Sequence, residues 1–151
     1  WRFWRQVPRR GRISIFDRSW YGRVLVERVE KLVTPGVWRR AYSEINGFEQ
    51  QLSRDGVIVV KFWLAITQDE QLKRFTERQA HAYKQYKLTD EDWRNRNRWG
   101  AYENATADML IHTDTAYAHW HLVAANDKRH ARVEVIKQLV KRIEQALDGD
   151  H

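Results

Sequence analysis

Residues 57–66 read VIVVKFWLAI, apolar at nine of ten positions. A run this short, without polar alternation, is the pattern of a strand covered on both faces inside a parallel sheet. Asp55-Gly56 immediately before it is a helix stop, and Thr67-x-x-Glu70 immediately after it is a capping box. Strand running straight into helix is the repeat of a layered α/β domain with a parallel sheet. Lys61 is the one charge in the run and has two readings. Its ammonium snorkels to an edge, or it is a cation delivered to bind substrate near the active centre.

Working back toward the amino end, Thr34-Pro35 is an N-cap followed by proline at the first helical position. It opens a helix to about residue 53, with Val37, Tyr42, Ile45, Phe48 and Leu52 inward. Val24, Leu25, Val29 and Leu32 fall on one broad face of a helix over 20–32. The stretch 12–23, RISIFDRSWYGR, begins with β-branched and aromatic residues and reads as a strand over 13–16. Asp17 and Arg18 stand where that strand stops. Pro8 and Gly11 bracket a basic turn, and the residues before it read as the end of a helix over 1–7.

Working forward, the helix opened by Thr67 is expected from 68 to about 86. It has a poor apolar face, mainly Leu72 and Phe75, and carries Lys73, Arg74, Arg78, His81, Lys84 and Lys87. Arg74, Arg78 and His81 share one side by helical spacing. Thr89-x-x-Asp92 caps a further helix to about 111, with Trp93, Trp99, Tyr102 and Met109 buried. Residues 120–124 (WHLVA) form a short strand after a loop over 113–118. Asn126-Asp127 caps a last helix, 128–147, amphipathic through Val133, Ile136, Leu139, Val140, Ile143 and Leu147. Three short strands alternating with helices imply right-handed parallel crossovers.

The chain has 151 residues, enough for one domain. No apolar run approaches the roughly 20 residues of a membrane span, no charged-then-apolar leader precedes the first strand, and there is no membrane partner to expect. Cysteine is absent, which removes disulfides and thiolate chemistry and fits the reducing cytoplasm. Twenty-seven basic against 20 acidic residues give a net charge of +7, a field that draws polyanions. Eight tryptophans could stack on bases or fill a core. The six histidines include no H-E-x-x-H, and His119 and His121 alternate across a strand, so they do not chelate as a pair. The serines show no nucleophile elbow. A start at Trp1 followed almost at once by a strand reads as a piece of a longer protein.

The three strand ends bring together Asp17-Arg18, Thr67 and Asn126-Asp127-Lys128, on the edge where open α/β sheets bind ligands. A carboxylate there can hold Mg²⁺ and a guanidinium can grip phosphate. A basic helix leaving the second strand can close over a phosphate chain. The set suits phosphoryl transfer, which needs positioning and charge more than covalent chemistry. The chain contains no G-x-x-x-x-G-K-[ST] phosphate loop.

IFDRSWYGRVLVERVE (15–30), KFWLAITQDEQLKRFTERQ (61–79), YKQYKLTDEDWRNR (83–96), AYENATADMLIHTDT (101–115) and ANDKRHARVEVI (125–136) occur in an order that resembles the type-2 polyphosphate kinases over nearly the whole chain. The resemblance implies an incomplete P-loop kinase-like α/β domain: a three-layer parallel sheet with flanking helices and a basic helical lid over about 67–90. It implies Mg²⁺-dependent phosphoryl transfer between polyphosphate and a nucleoside mono- or diphosphate, in a complete protein that is a homo-oligomer. Asp17 then matches the Walker B-type metal carboxylate and Arg18 a phosphate ligand. Arg23 helps bind nucleotide or phosphate, and Arg74, Arg78, Lys84 and Lys87 match the lid. Tyr86 hints at the subgroup that phosphorylates AMP. Two departures stand out. The phosphate loop is missing, and AYAHW places His119 where the family usually has proline. In the resembling fold the phosphate-loop strand lies between the Asp17 strand and 57–66, so this chain alone should leave the Asp17 strand without its neighbour, and by itself should be inert. The alternatives are a nucleic-acid-binding module, which the match makes the weaker reading, and an inactive structural relative.

Overall fold

A computed structural model describes residues 3–149, apart from the side chains of Lys84, Gln85 and Lys87. Trp1, the first residue of the expected helix over 1–7, lies outside the described residues. The helices are α1 (Val26–Val29), α2 (Pro35–Arg54), α3 (Gln68–Gln79), α4 (Asp90–Asn97), α5 (Trp99–Thr113) and α6 (Lys128–Leu147), and the strands β1 (Lys61–Ala65) and β2 (Trp120–Ala124). The chain divides into two compact units, one built from residues up to Val59 with Ala101–Ala118, the other from Val60–Gly100 with the residues from His119 onward.

The first unit is helical. Thr34 and Pro35 start α2, and Gly56, at φ +82°, turns the chain out of it after Asp55. A left-handed turn there favours glycine, which has no Cβ to clash. Val24, Ala41, Ile45, Ala105 and Met109 are buried. Arg28 lies 4.3 Å from the Trp38 ring and bonds Asp108 at 2.8 Å and the Tyr42 hydroxyl at 3.0 Å. Asn46 donates to the His112 carbonyl at 2.8 Å, and Tyr117 donates to the Asn46 carbonyl at 2.9 Å.

The second unit holds a two-stranded parallel sheet, in register from Lys61↔Trp120 to Ala65↔Ala124. One face packs on α6, where Val123, Ala125 and Ala131 are buried against Phe62, Ile66 and Val135. Thr67 caps α3 by accepting from the Glu70 amide. Thr89 and Asp92 form a reciprocal capping box on α4. Phe75 is buried against Trp93, with ring centroids 5.1 Å apart.

Several expectations are corrected. Residues 13–16 are not a strand, and Ile13 and Ile15 are 77% and 90% exposed. A strand exists through its ladder, and the only sheet among the described residues is β1–β2. Among the described residues the sheet therefore has two strands and not three, while α/β character and a parallel pair are present. Residues 57–66 are strand only at Lys61–Ala65, and Leu64 is 53% exposed, so the run is not covered on both faces. The stretch 20–32 is a 3₁₀ turn (Trp20–Arg23) plus the single turn of α1, and Lys31 adopts φ +56°. The helix expected over 68–86 ends at Gln79 and continues as a 3₁₀ segment, Ala82–Lys87. Its apolar face ends with Phe75, and without packing a helix gains little from further turns. The helix expected from Thr89 to 111 breaks at Arg98 into α4 and α5. On α6, Val133, Ile136, Val140 and Leu147 are exposed.

Candidate phosphate-handling residues

In the first unit, Asp17 and Arg18 sit at the tip of an irregular turn with both side chains exposed. Arg18 has φ +63°, a left-handed conformation that costs a residue with a Cβ about 1–2 kcal/mol. The rings on either side of the turn meet: Phe16 and Trp20 lie 5.3 Å apart, edge to face, and Trp20 also meets Phe48 at 5.0 Å. The Trp20 indole donates to Glu49 Oε1 at 3.0 Å and the Tyr21 hydroxyl donates to the same oxygen at 2.7 Å. Burial pushes the Tyr21 phenol far above its ordinary value, and the Glu49 carboxylate pushes it further. The phenol is therefore a permanent donor. Arg23, next along, bonds Glu44, which also accepts from Arg40 Nε at 2.6 Å. These two guanidiniums, Arg23 first, hold the Glu44 carboxyl below its usual range.

In the second unit, the carboxyl ends of β1 and β2 are tied together, the Thr67 amide donating to Asn126 Oδ1 at 3.0 Å. Two helices start there. Thr67 caps α3, and Asp127 caps α6 by accepting from the amides of Arg129 at 2.7 Å and His130 at 3.2 Å. Those amides, His130 foremost, hold the Asp127 carboxyl below its usual range. An open cleft of about 630 Å³ is lined by Glu70, Asn126, Asp127, Lys128 and Arg129. Arg74 bonds Glu70 at 2.7 Å through Nε and the carbonyls of Ala125 and Asn126 at 2.7 and 3.0 Å through Nη2. Its side chain is only 16% exposed. Arg78 is half-buried one turn further on.

Lys61 lies elsewhere. It opens β1 at the amino end, buried, with Nζ 5.0 Å from the centroid of the Trp120 ring. Four residue steps along the strand separate it from Ala65, roughly 13 Å at the usual rise. The side chains of Lys84 and Lys87 lie outside the described residues. Thr67, Asn126, Asp127 and Lys128 are brought together as the sequence suggests, whereas Asp17 and Arg18 stand on a turn instead of a strand end. Glu49 is missed by motif reading. Its signal is spacing: with Tyr42 and Ile45 it completes an i, i+3, i+7 stripe on α2, and an acid on an inward face demands partners.

The exposed carboxylate of Asp17 can supply one ligand to a metal and no more. Among the described residues no group of three or more His, Asp or Glu side chains is placed to hold an ion. Mg²⁺ is ordinarily bound by one or two carboxylates with phosphate and water completing its shell, so Asp17 fits as one ligand of such a set. The exposed guanidinium of Arg18 suits a phosphate oxygen.

Comparison with known proteins agrees in kind. The family model for polyphosphate kinase 2 matches residues 1–150. Polyphosphate:AMP phosphotransferases of Pseudomonas syringae pv. tomato and Pseudomonas aeruginosa are 55% and 57% identical over 150 residues, 99% of this chain. The chain spans 30% of each of those proteins. A crystal structure from Pseudomonas aeruginosa PA01 superposes with a TM-score of 0.96 at 56% identity, covering 100% of this chain and 32% of that one. A family match over essentially every residue, with a backbone this close, shows that the chain belongs to the polyphosphate kinase 2 family.

Proposed function

We propose that this chain is part of an enzyme that transfers a phosphoryl group between inorganic polyphosphate and a nucleoside mono- or diphosphate, with AMP as the favoured acceptor. The observation that carries the reading is its identity of more than half, over 150 residues, with two polyphosphate:AMP phosphotransferases. Tyr86 in KQYK points to the same acceptor. The complete protein is taken to be a cytoplasmic homo-oligomer in which residues 1–151 form part of a P-loop kinase-like domain and residues 67–90 its lid. Among the described residues no helix is long and apolar enough to cross a membrane.

Each residue has a chemical task. The transferring phosphoryl group carries negative charge that must be matched by fixed positive groups. Arg18 grips its oxygens. Arg78, Lys84 and Lys87 hold the phosphate chain from the lid, and Arg23 takes a nucleotide phosphate once it leaves Glu44. Arg74 keeps the lid helix seated on the carbonyls of Ala125 and Asn126. Asp17 holds Mg²⁺, which when bound neutralises charge on the phosphate oxygens. The position of Lys61 at the amino end of β1 favours the packing role over substrate binding.

The tryptophans argue against a nucleic-acid module. Trp20, Trp38, Trp93 and Trp120 are engaged by Glu49, Arg28, Phe75 and Lys61 within the chain, which leaves less aromatic surface for bases. The test is the complete protein with Mg²⁺, polyphosphate and AMP, with ADP measured by chromatography. ADP formation that stops when polyphosphate is omitted supports the reading; no phosphorylated product from AMP or from any other nucleoside mono- or diphosphate overturns it.

A further inference from the structure

We infer that Glu49 is the positioning residue of the Asp17–Arg18 turn: a buried carboxylate on α2 that sets the turn through Trp20 and Tyr21 without touching substrate. The inference rests on the role given above to Asp17 and Arg18.

The argument starts from cost. Glu49 is 0% exposed, and a carboxylate so placed must be met by donors. Two come from consecutive residues of the DRSWY segment, the indole of Trp20 and the phenol of Tyr21, both on Oε1. Burial and the neighbouring carboxylate keep that phenol protonated, so the bond does not titrate away in the working range. One residue before Trp20 and Tyr21 begins the short excursion that carries Arg18 at φ +63°. Such backbone conformations persist where their surroundings over-determine them. Here the base of the excursion is closed by the Phe16–Trp20 ring contact, and its exit is pinned to α2 by the two hydrogen bonds. Without Glu49, Trp20 and Tyr21 lose their common acceptor, and Arg18 has less to hold it left-handed. The exposed carboxylate and guanidinium then sample many positions in place of one.

The test uses the complete protein and two readouts. The first is limited trypsin digestion followed by mass spectrometry, comparing cleavage after Arg18 with cleavage after Lys141 in α6. The second is steady-state transfer from polyphosphate to AMP. Glu49→Leu and the milder Tyr21→Phe are expected to speed cleavage after Arg18 several-fold while cleavage after Lys141 stays unchanged. Glu49→Leu should lower kcat about 100-fold, the scale of an ångström-sized misplacement, with KM for polyphosphate within about threefold, since the lid cations assigned to the phosphate chain are not substituted. Glu49→Gln keeps an acceptor oxygen and should restore both readouts most of the way. Unchanged cleavage after Arg18 in both Glu49→Leu and Tyr21→Phe overturns the inference. So does equal acceleration at Lys141, which would mean general unfolding. A wild-type protein inactive with polyphosphate would sink the functional reading, while the cleavage comparison would still decide whether Glu49 sets the turn.

Discussion

The turn from Asp17 to Arg23 and the passage from Ala65 to Arg78 carry the same kinds of residue but are held in different ways. The second passage obeys local rules. A ladder ends, Thr67 caps the helix three residues before Glu70, and Glu70 pairs with Arg74 four residues on. The first obeys almost none. The β-formers that lead into it, residues 13–16, form no strand, and its shape comes from a glutamate 28 and 29 residues away. Chemistry carried on local scaffolding can be placed from sequence, whereas chemistry carried on distant side chains needs the fold.

The largest expected effect tests whether the irregular turn carries chemistry at all. Asp17→Asn in the complete protein should reduce polyphosphate-dependent ADP formation by about 100- to 1,000-fold, the usual loss when one electrostatic stabiliser of a developing charge is removed. Far-ultraviolet circular dichroism should not change, because the side chain is exposed. Activity within tenfold of wild type would leave the regular passage as the better candidate for the reacting centre.

This contrast also explains what was legible. The boundaries of β2 and α6, the Thr67 and Thr89 caps, and the end of α2 at Asp55-Gly56 follow from cap chemistry and short apolar runs, and the structure keeps them. The strand over 13–16 fails because β propensity describes side chains that suit a sheet, and it cannot supply the neighbour whose amides and carbonyls make one. The long α3 fails because capping fixes where a helix starts while packing decides where it stops. The engagement of Arg74 could not be read either: helical spacing puts it beside Arg78, but only the fold shows two carbonyls of the β2–α6 connection at its Nη2.

Arg74→Lys probes the regular passage. Lysine keeps the charge but lacks the planar fork that reaches Glu70 and two carbonyls together. Hydrogen bonds to a charged group contribute about 1.5–3 kcal/mol, so the α3 amides should lose about 2 kcal/mol of hydrogen-exchange protection while those of α2 keep theirs. An unchanged α3 would mean that Arg74 is available to substrate after all. Thr67→Ala should cost less, about 1 kcal/mol in urea unfolding, because it removes one cap from a helix that Arg74 still ties down. A larger loss from Thr67→Ala than from Arg74→Lys would reverse the ranking of distant clamp over local cap.

The smallest effect belongs to the outer support of the irregular turn. Arg23 and Arg40 hold the Glu44 carboxyl below its ordinary value of 4.5. A folded value below the unfolded one means that the charged form is favoured by folding. The stabilisation is therefore complete above about pH 4.5 and disappears as pH falls through the depressed folded value. Its size is small, because the carboxylate is 40% exposed and exposed pairs contribute about 0.2–1 kcal/mol. Glu44→Gln should lower stability by that amount near neutral pH in urea unfolding, and the difference from wild type should vanish in acid and shrink in high salt. The Thr67 cap, whose hydroxyl does not titrate, gives the control: its cost should survive both changes. A Glu44→Gln difference that persists in acid would show that the side chain works by packing instead of charge, and Arg23 would then be free to leave it for a phosphate at little cost.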